Sequence, residues 1–158
     1  MPVSDWTTRD YVASDEGFVL YSWLKSHAHS RFGVSMRANV DESPGEKDYW
    51  TRHRPLVMRL IESSTVRVVC DPDRPEVIWA WACTHGEDVI HYVLAKRRFH
   101  QEGFGPAIFA ELLGDRLGRP QRYSHELVEL ARPDVRAKLR TPESWIFDPY
   151  LLATKEAA

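Results

Sequence analysis

Residues Arg97 to Phe109 read RRFHQEGFGPAIF. The stretch begins where a strand-like run ends and finishes inside a run of helical period. Gly103 and Gly105 mark the change. Pro106 suits the first turn of a helix, where its missing N–H costs least. This is the junction of a strand and a helix, and two roles fit it. One is a plain turn, the commoner meaning of a glycine pair. The other is a phosphate cradle. A helix start offers N–H groups with no internal partner, and its dipole adds partial positive charge. Glycines let the main chain come close to an anion, and Lys96, Arg97 and Arg98 lie just upstream. Two phosphate motifs are excluded. The dinucleotide fingerprint needs a third glycine where Ile108 stands, and a P-loop needs Gly-Lys-Ser/Thr.

Upstream of the junction the period is two. TVRVVC (65–70), VIWAWAC (77–83) and DVIHYVLA (88–95) are separated by short turns and predict an antiparallel meander. VIWAWAC is apolar on both faces and reads as a covered, central strand. Downstream, Ile108, Phe109, Leu112 and Leu113 share a helical face, and Gly114 and Gly118 end it. QRYSHEL (121–127) reads as a further strand and LARPDVRAKLR (130–140) as a short helix. SWIFDPYLL (144–152) reads as a closing strand that Pro149 pushes to an edge.

At the N-terminal end, residues 1–13 form a first strand or an arm. Residues 14–30 read as a helix capped by Ser14, with Asp15 and Glu16 at the positive end of its dipole. A loop with Pro44-Gly45 follows. Residues 48–64 read as a second helix, kinked or started late by Pro55. The whole order predicts an α/β fold with a mixed sheet: an antiparallel meander, then a strand–helix–strand crossover, with helices on both faces. No repeat or linker divides residues 1–158, so one domain is expected.

The totals set outer bounds. A chain of 158 residues buries roughly two thirds of its unfolded surface and needs no staple. The net charge of −2 gives no footing for a nucleic-acid partner, although KRRFH is locally basic. No run approaches the length of a membrane span, so no membrane partner is expected. The opening MPVSDWTTRDYV lacks the apolar centre of a signal peptide. Cys70 and Cys83 read as two buried thiols. These features together predict a cytoplasmic protein.

The meander, the junction and the following helix resemble the GCN5-related N-acetyltransferase (GNAT) family. That family's acyl-CoA motif, Arg/Gln-x-x-Gly-x-Gly/Ala, falls on His100, Gln101, Glu102, Gly103, Phe104 and Gly105. YVLAKRRF resembles the family's fourth strand and the bend after it, and AIFAELL its next helix. The likeness spans about residues 60–130. WIFDPYLL is similar to the ends of small members encoded by tailed phages and prophages. The resemblance implies acetyl-CoA as cosubstrate and an amine acceptor whose identity is unknown. It implies that Val93, Leu94 and Ala95 offer main-chain groups to the pantetheine arm, and that the amides from Gln101 to Gly105 hold the pyrophosphate. His100 stands where the family has Arg or Gln.

The family's usual tyrosine acid has no match between Ser124 and Phe147. His91, in phase with Val93 and Ala95, is the candidate base. Ser124, His125 and Tyr150 are weaker candidates. His27, His29 and His53 suggest a metal, but no Cys or carboxylate completes a familiar spacing, so none is expected. A homodimer is allowed. The alternative to catalysis is a degenerate binding module of the same fold that works through protein partners, with the six tryptophans as interface material.

Overall fold

The computed structural model describes residues 5–28, 46–125, 127 and 145–153. The expected helix over 130–140, the Pro44-Gly45 turn and His29 lie outside these residues. The elements run in this order: β1 (Thr7–Asp10), a 3-10 turn (Ala13–Asp15), α1 (Glu16–Ala28), α2 (Glu46–Ser63), β2 (Thr65–Cys70), β3 (Ile78–His85), β4 (Val89–Ala95), α3 (Arg97–Gln101), α4 (Gly105–Leu113), a 3-10 turn (Gly114–Gly118), β5 (Arg122–Tyr123), β6 (Ile146–Phe147) and a closing 3-10 turn (Pro149–Ala153).

The six strands form one sheet in chain order. β1 to β4 are antiparallel neighbours. β5 runs parallel to β4, and β6 parallel to β5. This is the mixed sheet that the change of period predicts, with α4 making the crossover from β4 to β5. β2 shows why its residues pair: Thr65 and Arg67 are exposed while Val66 and Val68 are buried. β3 is buried at every position but His85, as its all-apolar sequence requires.

Trp81, Trp23 and Tyr92 form the centre of the core. Trp23 of α1 stacks on Tyr92 with centroids 5.4 Å apart and planes 5° apart. It lies equally near Trp81. The polar ends of Trp81 and Tyr92 are tied to α1, with Trp81 Nε1 donating to Ser22 Oγ at 2.9 Å and the Tyr92 hydroxyl 2.8 Å from Ser26 Oγ. Buried tryptophan and tyrosine usually find such partners, but Trp23 Nε1 has none among the described residues. α4 packs on β2, β3 and β4 through Ile108, Phe109, Leu112 and Leu113.

Two local expectations change. Ser14 does not cap α1. Asp15 does the equivalent work one turn earlier, accepting the Val12 N–H at 2.9 Å. α2 neither starts at nor stops before Pro55, which lies inside it. Cys70 and Cys83 are free and buried, and burial raises the Cys83 thiol pKa to about 12. Among the described residues no helix is long and apolar enough to cross a membrane.

Candidate functional site

The glycine junction is tightly wound. α3 occupies Arg97–Gln101, and the chain then closes on itself. Glu102 N–H donates to Arg98 O at 3.1 Å, Gly103 N–H to His100 O at 3.1 Å, and Phe104 N–H to Phe99 O at 2.8 Å. Three of the five amides assigned to pyrophosphate therefore close turns within the chain. Pro106 offers no amide, so the first turn of α4 contributes those of Gly105 and Ala107. Gly103 has φ of +82°, the left-handed region that favours glycine.

His100 does not stand where a phosphate-binding Arg or Gln would. Its ring is buried against Gly105, with its centroid 5.7 Å from that of Phe109. Gln101, Glu102 and Gly103 are exposed. Of the upstream cations, Arg98 pairs with Glu102 at 3.5 Å, Lys96 lies 5.1 Å from the Phe18 ring, and Arg97 is exposed. The His100 ring packs inside the turn, against Gly105 and Phe109.

The edge of β4 is different. β5 pairs with β4 only at Val89 and Ile90, and Ser124 N–H still reaches Ile90 O at 3.3 Å. Beyond that point no described strand flanks β4 on this side. The register with β3 slips within β4, pairing Thr84 with Ile90 but Cys83 with Tyr92. His91 is the extra residue of a β-bulge, a device that re-aims side chains near functional sites. Lys96 N–H donates to Trp79 O, which fixes the alternation beyond the bulge. Tyr92 and Leu94 turn their main-chain groups to β3, while Val93 and Ala95 turn theirs to the side that β5 leaves. The arrangement selects Val93 and Ala95 from the predicted trio. His91 is not in phase with them, because the bulge breaks the alternation.

His91 starts a buried polar chain. Its Nδ1 lies 2.7 Å from Ser124 Oγ, and Ser124 Oγ lies 3.0 Å from His125 Nδ1. On the other side of that ring, His125 Nε2 lies 2.9 Å from His53 Nε2 on α2. His27 of α1 completes the group, its ring centroid 4.7 Å from that of His125. Burial lowers the pKa of His91 to about 4, with the nearby His85 adding to the effect. Burial also lowers His53 to about 4 and His27 to about 3, and puts His125 well below the ordinary histidine value. All four rings are neutral at pH 7, because burial disfavours their charged form.

The sequence pointed to His91 alone, to Ser124 with His125, and to His27 with His29 and His53. The structure brings all of these but His29, which lies outside the described residues, into one neighbourhood at the place where β5 parts from β4. Tyr150 instead lies on the closing 3-10 turn and is 79% exposed. The grouping of His53 with His125 could not be read locally, because 72 positions separate them.

No family model matches the chain, and no curated protein matches it. Among solved structures it is similar to a GNAT superfamily phosphinothricin acetyltransferase from Sinorhizobium meliloti in complex with AcCoA, at 18% identity over 85% of this chain and 72% of that one, with a TM-score of 0.42. A likeness of that strength carries nothing about activity.

Proposed function

We propose that the protein binds an acyl-CoA, acetyl-CoA being the simplest, along the side of β4 that no described strand flanks beyond Ile90, and transfers its acyl group to an amine. The observation that supports this reading is the parting of β5 from β4 beside Val93 and Ala95. An extended arm with two amides, such as pantetheine, can pair with main-chain groups there as an added strand would. Both residues are buried, so the arm would lie out of water.

The chemistry asked of the protein is modest. The amine nitrogen attacks the thioester carbonyl, the C–S bond breaks, and the amine proton must leave while the thiolate gains one. His91, held at Nδ1 by Ser124, is the group that takes the amine proton and returns it to the departing thiolate. The acceptor is a small molecule or a protein amine, and the reaction belongs in the cytoplasm, where acyl-CoA is made and used.

A second reading has its own support. The closed amides of Glu102, Gly103 and Phe104 leave little for pyrophosphate, as a module that has lost catalysis would. Native mass spectrometry with acetyl-CoA, joined to hydrogen exchange at Val93 and Ala95, separates the two. The acyl-CoA reading expects a one-to-one adduct and slower exchange at both amides. No adduct at millimolar acetyl-CoA would leave the binding module. An adduct without thiol release across a panel of amines would mean that the fold keeps the ligand and not the reaction.

A further inference from the structure

We infer that His27, His53 and His125 form a site for one divalent cation of the zinc class. Each ring offers a nitrogen, and the three atoms lie within 4.8 Å of one another. A tetrahedral zinc ion with Zn–N bonds of about 2.0–2.1 Å separates its ligand nitrogens by about 3.4 Å. His53 Nε2 and His125 Nε2, at 2.9 Å, need to part slightly, and the third nitrogen needs to close by about an ångström or more.

The surroundings fit an ion of this class. All three side chains are buried, at 0%, 2% and 0% exposure for His27, His53 and His125. They come from α1, α2 and the segment after β5, so an ion would tie together three parts of the chain that are remote in sequence. Imidazole suits zinc, cobalt, nickel and copper far better than magnesium or calcium, which take oxygen ligands.

His125 carries the support that metal-bound histidines usually have. With Nε2 on the ion, Nδ1–H donates to Ser124 Oγ at 3.0 Å, and the Ser124 hydroxyl donates to His91 Nδ1 at 2.7 Å. A donor held in this way fixes the tautomer and the ring plane. Trp23 supports the same ring edge-on at 5.2 Å. Three imidazoles leave a fourth position for water or an incoming group. The site stands whether or not an acyl-CoA binds.

The test uses the full chain, stripped with chelator and titrated with Co2+ and Zn2+. One equivalent of Co2+ should give the intense visible bands of a tetrahedral ion, and Zn2+ should displace it. Zn2+ should raise Tm, while Mg2+ and Ca2+ at the same concentration should not. His53→Asn should abolish the bands and the shift, Ser124→Ala should weaken binding about 10- to 100-fold, and His85→Ala, an exposed imidazole outside the group, should change neither. If His53→Asn does not fold, X-ray absorption on the wild-type zinc protein should count three imidazoles. No stoichiometric uptake, full binding retained in His53→Asn, or fewer than three imidazoles would overturn the assignment.

Discussion

The ring of His100 lies over the α-carbon of Gly105, so close that a Cβ built there would stand 2.5 Å from Nδ1 and 2.8 Å from Cε1. The absence of a side chain at Gly105 is explained by this internal contact, with no call on a phosphate. The ring cannot simply swing away, because it is buried beside Phe109. Gly105→Ala should therefore cost about 1–3 kcal/mol by overpacking. Adding His100→Ala should recover part of that loss, so the two changes should be non-additive in denaturant unfolding. Strict additivity would mean that the ring and the glycine do not press on each other.

His100→Arg tests the same geometry from the other side. If His100 faced an acyl-CoA, a guanidinium would tighten binding. Packed inward, it should instead lower Tm, since a charge replaces a buried ring. Thermal melts with and without acetyl-CoA distinguish these. A higher ligand affinity with unchanged stability would restore His100 to the ligand.

Gly103 is constrained by conformation rather than by space. Nothing lies within 4 Å of a Cβ added there, but φ is +82°. Gly103→Ala should cost about 1–2 kcal/mol from the left-handed backbone alone. Gly103→Asn should cost less, since asparagine tolerates that region. Equal losses for both in urea unfolding would point to a hidden contact.

The N-terminal strand makes a pH-dependent contribution. Asp15 is paired with Arg9 through two bonds of 2.7 and 2.8 Å. Burial raises the Asp15 carboxyl pKa, but the Arg9 and Val12 hydrogen bonds outweigh it and hold the pKa below the ordinary value. A depressed carboxyl contributes stability that is present above its unfolded pKa and disappears as pH falls through its folded pKa. Asp15→Asn should thus lose about 1.5–3 kcal/mol at pH 7, and the gap to wild type should shrink below about pH 4. A gap that stays constant down to pH 2 would show that the charge is not what matters.

The sheet was legible because valines alternate with polar residues in β2, and because β3 and β4 are apolar runs too short for helices and bounded by turns. β2, β3 and β4 match the expected ranges to within two residues, whereas the closing strand expected over 144–152 is reduced to Ile146–Phe147. β5 was not legible in length. QRYSHEL suggested seven strand residues, but only Arg122 and Tyr123 pair, with one further bond from the Ser124 N–H to Ile90 O. The helix start was misread because Ser14 and Asp15 are both good caps, and the nearby Arg9 decides between them. The histidine group was legible only in part: His27 and His53 were set together as metal candidates, but no local spacing relates His125 to them. The bulge left no mark either, since every β4 residue is buried and no exposed position reveals the break in alternation.

That bulge makes His91 a supernumerary residue. The β3 partners of the residues on either side of it, Thr84 for Ile90 and Cys83 for Tyr92, are themselves consecutive. Removing His91 would close the ladder without shifting any pair, and Val93 and Ala95 would still face away from β3. The sheet does not count this position. Its side chain can vary, or be lost, without altering the frame in which the rest of β4 is read, so the imidazole is free to answer to Ser124 alone.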